Sequence, residues 1–136
     1  MALDLSSFEK AAKSLKEVWV EFNKDKTNIF VRDAVIQRFE YTYELSHKIL
    51  KRFLEKYQFS SQEIDEMSFA NIVRTANEKG LLLNDLERWI IYRQRRNITS
   101  HTYDEAKADT VILIVSDFLE EVEFLLEKLI EKSKSL

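Results

Sequence analysis

Between positions 88 and 103 the chain gathers Arg88, Arg93, Arg95, Arg96, Asn97, Ser100, His101 and Tyr103. Four guanidiniums within nine residues of a chain whose formal net charge is −3 make a local anion site, because each presents a rigid fork of donors to phosphate or carboxylate. Histidine changes charge between pH 5 and 8 and so serves as general acid or base. Together these residue types suit proton transfer at a bound phosphate. His101 is the candidate acid–base group, Arg96 the candidate for charge stabilisation, and Arg93 and Asn97 the candidates for holding substrate.

The elements that carry them are helices. A helix is expected from Asn84 or Asp85 to about Thr99, with Leu86, Trp89 and Ile90 starting an apolar stripe. Steps of three and four from that stripe reach Arg93, Arg96, Asn97 and Ser100, so a face expected to be core turns cationic in mid-helix. A buried polar group without a partner costs on the order of 1–3 kcal/mol. The stretch must therefore open on a groove or meet an anionic partner. Arg96 and Tyr103 would share a helical face, whereas Arg96 and His101, five residues apart, would point about 140° from each other on a regular helix. Their cooperation needs the helix to end or turn near Thr99 to Thr102. Capping signals are present there: Thr102 with Glu105 fits a capping box, and Asp104 is a competing cap.

Each of these residues also has an ordinary reading. Exposed arginines are usually solvated or ion-paired, a histidine near a helix end usually complements the helix dipole, and Tyr103 would more often be core. His47, among polar neighbours, reads as structural. What singles the stretch out is the joint occurrence within eleven residues, on a face expected to be apolar.

Other helices are expected over Ser6 or Ser7 to Phe22, Ile29 to Tyr57, Phe69 to Lys79, and from Thr102–Asp104 to Lys132. Ser60-Ser61-Gln62-Glu63 begins a connection with room for a helical turn, Ser68 is the expected cap of the third helix, and Gly80 its left-handed stop. On the second helix Val35, Phe39, Thr42, Ser46, Ile49 and Phe53 form the buried stripe, and Asp33, Gln37, Glu40, Glu44, Lys48, Lys51 and Glu55 the wet one. The last helix is apolar over a wide arc: Val111, Ile114, Val115, Phe118, Val122, Leu125 and Leu129, flanked by Ile112, Leu119, Leu126 and Ile130. Such an arc needs cover on two sides, which suggests a homodimer. Its acidic residues, Asp117, Glu120, Glu121, Glu123, Glu127 and Glu131, read as a solvated face.

Composition agrees with an all-α, antiparallel four-to-five-helix bundle forming a single domain over residues 1–136. The 136 residues contain no Pro and one Gly, too few for the tight turns of a β-rich chain. With no Cys, two His and no His-Glu-x-x-His pattern, neither a disulfide framework nor a metal site is expected. One glycine excludes a Gly-rich phosphate loop, and no cofactor is expected. Met1-Ala2-Leu3-Asp4-Leu5 lacks the features of a secretory signal, and the longest apolar run, Val111 to Val115, is far short of the ~20 residues of a membrane span. The expectation is a cytoplasmic protein without a membrane segment.

Arg96-Asn97-Ile98-Thr99-Ser100-His101-Thr102-Tyr103 resembles the pattern Arg, four residues, His, any residue, Tyr of HepT-type toxins in the HEPN superfamily. Arg32 to Leu45 resembles the second helix of the related nucleotidyltransferase substrate-binding proteins, and the order of helices is similar over nearly the whole chain. The resemblance implies a dimeric helical bundle partnered by a small cognate nucleotidyltransferase. It implies one of two roles: a metal-independent endoribonuclease toxin acting on RNA and silenced by adenylylation of Tyr103, or a non-catalytic subunit that binds substrate or nucleotide for the transferase. A plain helical dimerisation module is the third possibility, which a nucleotidyltransferase gene alongside would remove.

Overall fold

Two long helices, α2 (Ile29–Tyr57) and α6 (Glu105–Lys134), form the spine around which the shorter helices are set in the computed structural model, which describes residues 3–134. Around them lie α1 (Ser6–Lys24), α3 (Ser61–Glu66), α4 (Phe69–Glu78) and α5 (Leu86–Asn97), with a short 3₁₀ turn at Thr99–His101. Met1 and Ala2, the start of the opening segment read above, lie outside the described residues.

The contacts fix the directions. Thr42 donates to the Ala11 carbonyl and Arg38 to that of Ser14, so α1 and α2 run antiparallel. Tyr43 meets Trp89, and Glu40 and Glu44 meet Arg96, so α5 is antiparallel to α2. Arg32 pairs with Glu105 while Phe39 meets Phe118, so α2 and α6 run the same way. This is an up-down-up-down bundle of α1, α2, α5 and α6, with α2 and α6 on one diagonal.

Helix boundaries follow local chemistry. Asn28 accepts from the backbone N–H groups of Phe30 and Val31 to start α2, and Ser68 accepts from Asn71 N–H to start α4. Ser60 and Glu63 close a full capping box, so the expected helical turn is the six-residue α3. Gly80, at φ 76°, ends α4. Its N–H donates to the Asn77 carbonyl and that of Leu81 to Ala76, a Schellman motif sealed by the buried Leu81 side chain. At the start of α6 the capping box does not form. Asp104 takes the Ala106 N–H, Thr102 turns back to the Thr99 carbonyl, and Glu105 is drawn to Arg32.

The core joins Leu15, Phe39, Leu50, Val111, Val115, Phe118, Val122 and Leu125, all without solvent exposure. At its centre Phe118 meets Phe39 and Tyr92 edge-on at 5.0 and 5.2 Å, and Trp89 meets Tyr92 at 5.3 Å. Such pairs add about 0.5–1.5 kcal/mol each beyond burial. The wide apolar arc of α6 is covered from within the chain by α1, α2 and α5. Val115 is fully buried, Leu119 is 7% exposed, and Ile112 and Leu126 pack against the core. The arc therefore gives no evidence for a second subunit; the large apolar residue of α6 that faces outward among the described residues is Leu113, 81% exposed.

Glu121 also departs from expectation. It is not part of the wet face of α6 but is fully buried. Its carboxylate accepts from the backbone N–H of Leu83 at 2.7 Å, and from the backbone and side-chain N–H groups of Asn84 at 3.1 Å. Asn77 closes the knot by donating to the Asn84 carbonyl. The sequence at 83–85 can satisfy few of its own N–H groups before α5 begins, and the buried carboxylate does it for them.

Burial pushes the Glu121 carboxyl above its ordinary value, against the pull of those donors. The folded protein thus holds this proton more tightly than the unfolded chain. Its contribution to stability falls as pH rises from the ordinary carboxyl range through the raised folded value. Glu121→Gln keeps the shape but turns an amide donor toward a backbone donor, and should cost about 1–3 kcal/mol in urea unfolding. In the pH window above the ordinary carboxyl value, wild type should lose stability relative to the variant as pH rises. A variant as stable as wild type would show that the knot does not hold α5 in place.

Candidate functional site

The core face of α5 runs through Trp89 and Tyr92, both fully buried, and then Arg96 and Thr99. Ile90, expected in that stripe, is 39% exposed, and Tyr92 takes its place. The stripe does turn polar in mid-helix, and α2 supplies the anionic partners. Arg96 donates from Nε to Glu44, and its Nη2 lies 3.7 Å from Glu40. Thr99 donates to Glu40 at 2.9 Å. Glu40 and Glu44 thus belong to the boundary with α5 and not to the wet face expected for them.

Beside this pairing is a cavity of about 500 Å³ between α2, α4 and α5. Arg93, Arg96 and Asn97 reach it from α5, Tyr43, Glu44, His47 and Lys51 from α2, and Met67, Phe69 and Ile72 from the start of α4. Arg93 sets its guanidinium over the Phe69 ring at 4.6 Å, and neither it nor Lys51 has a carboxylate partner among the described residues. His47 packs on Phe69 with ring centroids 5.7 Å apart, and its buried Nε2 has no hydrogen-bond partner among the described residues. Burial, with the nearby Lys51 and Arg93 charges, holds His47 below the usual imidazole value against the opposing pull of Glu44. The Tyr43 hydroxyl is pushed up to about 12, chiefly by burial. Both are therefore neutral near pH 7.

α5 ends at Asn97, two residues before the expected end, and Ile98 leads into the 3₁₀ turn. The chain does bend between Arg96 and His101, as their cooperation would require. His101 and Tyr103 lie on this connection, both exposed, Tyr103 at 84%, with ring centroids 6.3 Å apart. Neither side chain makes a hydrogen bond or ion pair among the described residues, and neither lines the cavity. So the fold brings Arg93, Arg96 and Asn97 into one pocket and sets His101 and Tyr103 on the turn that follows. Of the other two arginines, Arg88 pairs with Asp117 at 2.7 Å, and the buried Nε of Arg95 has no hydrogen-bond partner among the described residues. Among the described residues, no three His, Asp or Glu side chains gather as a metal set, and no helix is long and apolar enough to cross a membrane.

The contribution of α2 was missed in the sequence. Glu40, Glu44, His47 and Lys51 recur at spacings of four, three and four, a second polar stripe beside the apolar one. That pattern was there to be read; which helix it would face was not.

Comparison with known proteins agrees with this architecture. The family described as nucleotidyltransferase substrate binding protein like matches residues 3–131. A Haemophilus influenzae protein described as a probable ribonuclease HepT is 38% identical over 140 residues, spanning 97% of this chain and 95% of its own. A solved Haemophilus influenzae structure, described as revealing the fold of a substrate binding domain of a nucleotidyltransferase, superposes with a TM-score of 0.85 at 37% identity, over 93% of this chain and 98% of that one. A Thermus thermophilus structure superposes with a TM-score of 0.70 at 33% identity, over 90% and 98%. The chain belongs to the HepT-type, nucleotidyltransferase substrate-binding family of HEPN helical bundles.

Proposed function

We propose that this chain is a metal-independent endoribonuclease, the toxin of a cytoplasmic toxin–antitoxin pair whose other member is a small nucleotidyltransferase. The observation that carries the reading is the placing of His101 and Tyr103, exposed and unpaired, on the turn that follows the cationic pocket. The likeness to a probable ribonuclease supports it.

The reaction is attack of an RNA 2′-oxygen on the adjacent phosphorus. A base takes the 2′-hydroxyl proton, the bond to the 5′-oxygen breaks, and an acid protonates that oxygen, leaving a cyclic phosphate and a 5′-hydroxyl. His101 exchanges one of these protons. Arg96 spends its Nε–H on Glu44 and turns Nη2 toward Glu40 at 3.7 Å, which orients the guanidinium and leaves its Nη1 donors for the phosphorane oxygens. Arg93 adds field, and Asn97, exposed at the end of α5, orients the phosphate or His101. One exposed histidine supplies an acid or a base, not both, so a twofold mate supplies the second.

A second reading has its own support. The carboxylates on Arg96 neutralise the very cation that the cleavage mechanism uses, which suits a non-catalytic subunit binding substrate or nucleotide for the transferase. Cleavage assays separate the two. His101→Ala and Arg96→Ala should each lower RNA cleavage by roughly 10²–10⁴-fold with helical content unchanged by circular dichroism. Cleavage should survive EDTA and leave cyclic or 3′-phosphate ends. A strict need for magnesium, or full activity in His101→Ala, would sink the mechanism.

The twofold mate makes its own prediction. Sedimentation equilibrium at micromolar concentration should give twice the 16.2 kDa chain mass. Leu113→Glu, at the outward position of α6, should shift that mass toward the monomer. A wild-type monomer that still cleaves RNA would remove the shared site.

Control by the transferase is proposed at Tyr103. Its phenolic oxygen would attack the α-phosphorus of ATP, releasing pyrophosphate and passing its proton to a base on the transferase. The new phosphodiester would then compete for the cations that bind RNA. Intact-mass measurement after incubation with partner and ATP should show a gain of one or more AMP units that vanishes in Tyr103→Phe. No gain with an active partner, or a gain that persists in the variant, returns Tyr103 to a surface role.

A further inference from the structure

We infer that the cavity between α2, α4 and α5 is a nucleotide subsite, with Lys51 and Arg93 taking the phosphate and the Met67–Phe69–Ile72 wall taking the base. It rests on the reading above that the α5 face meets RNA, and it adds where one nucleotide sits. Three cations, Lys51, Arg93 and Arg96, line the cavity against one carboxylate, Glu44, and that carboxylate is already bonded to Arg96. Lys51 and Arg93 are left as charges without a counterion among the described residues. The cavity, of about 500 Å³, falls in the range on the order of 300–1,000 Å³ typical of small-ligand sites. Its aromatic ring already holds a guanidinium, an arrangement that offers a planar base a stack of ring and cation.

His47 also lines this site. Its Nε2 is buried without a partner, and a bound nucleotide would give it one. The groups around it are Tyr43, Glu44 and Lys51 on its own helix, Arg93, Arg96 and Asn97 on α5, and the uncharged Met67, Phe69 and Ile72 at α4. Lys51 and Arg93 disfavour its protonation and Glu44 favours it. A phosphate beside those two cations cancels their field, so binding raises the His47 titration midpoint. By linkage, affinity for the phosphate then strengthens as pH falls through that midpoint.

The chain has two histidines, so His101→Ala leaves His47 as its one imidazole signal and also keeps RNA intact during the measurement. The Cε1–H resonance of His47 should be followed by NMR pH titration with inorganic phosphate, AMP and a short RNA. AMP or RNA should raise the His47 midpoint, with phosphate alone binding more weakly because it leaves the aromatic wall unused. Lys51→Ala should weaken binding about tenfold and Lys51→Arg should restore most of it, since a charged hydrogen bond is at stake. Response to AMP but not RNA assigns the site to a free nucleotide; response to RNA assigns it to the strand. A His47 signal unmoved by both, binding indifferent to Lys51→Ala, or phosphate binding as well as AMP overturns the subsite. The catalytic reading is judged separately: cleavage by His101→Ala defeats that reading and leaves a His47 shift standing, whereas lost cleavage with no shift defeats the subsite alone.

Discussion

Helix α5 is held at both ends by buried or half-buried carboxylates, and the placing of every candidate residue depends on this. At its start Glu121 of α6 takes up the backbone N–H groups of Leu83 and Asn84. At its end Glu40 and Glu44 of α2 take Arg96 and the Thr99 hydroxyl. Between these clamps Trp89 and Tyr92 fill the core against Phe118 and Tyr43. With both ends and the middle fixed, the register of α5 against α2 is set, and the exposed Arg93 and Asn97 come to line the cavity. The same helix α2 then holds the far side of the following turn, where buried Arg32 pairs with Glu105 at the first residue of α6.

The polar pairs differ in what they contribute. Arg96, Glu40 and Glu44 keep 29, 40 and 46% of their side-chain surface in solvent, so the desolvation cost is moderate and the net gain is about 1 kcal/mol or less. Their value is geometric: a guanidinium bonded through Nε has its remaining donors aimed in a fixed direction. Glu121 is the opposite case. It is withdrawn from water, and removing its partners or the carboxylate itself leaves buried donors or acceptors unmade, which costs more than the intact set contributes. A surface pair shapes the pocket, and a buried one secures the helix.

Much of the fold was legible because helix signals are local. The α2 boundaries, the Ser68 cap, the Gly80 stop and the stripes at spacings of three and four follow from side chains a few residues apart. The cationic break in α5 was legible for the same reason, since a polar residue on a core face stands out against its own helix. What could not be read was tertiary. Glu121 looks like any acidic residue of α6 until the loop at 83–84 is folded over it, and Glu40 and Glu44 look solvated until Arg96 arrives. The choice of Tyr92 over Ile90 for the core turned on about 100° per residue of helix rotation and on which aromatic ring could reach Phe118. His47 fell outside the sequence-based site because the Phe69 ring it packs on and the Arg93 charge it shares a cavity with lie on α4 and α5, not on its own helix. The arc of α6 predicted cover but could not say that α1, α2 and α5 would provide it.

The two halves of the proposed site are prepared to different degrees. Arg96 is oriented by two carboxylates, and Arg93 is held over a ring. His101, by contrast, has no hydrogen bond among the described residues to fix its tautomer or its rotamer, and Tyr103 beside it is almost fully exposed. A catalytic imidazole works when one nitrogen is oriented by a partner, which decides which nitrogen carries the proton. Among the described residues no side chain supplies that partner. A substrate phosphate, a second copy of the chain across a twofold axis, or the transferase would each supply it, with different consequences. A second copy completes the site before RNA arrives and makes cleavage depend on protein concentration. Substrate alone would let the monomer act. Only the transferase, by holding the turn or adding a phosphate beside it, would turn the same exposed position into a point of control. His101 and the exposed Tyr103 thus sit side by side on the turn after α5, and the proposed cleavage and its proposed silencing both act there.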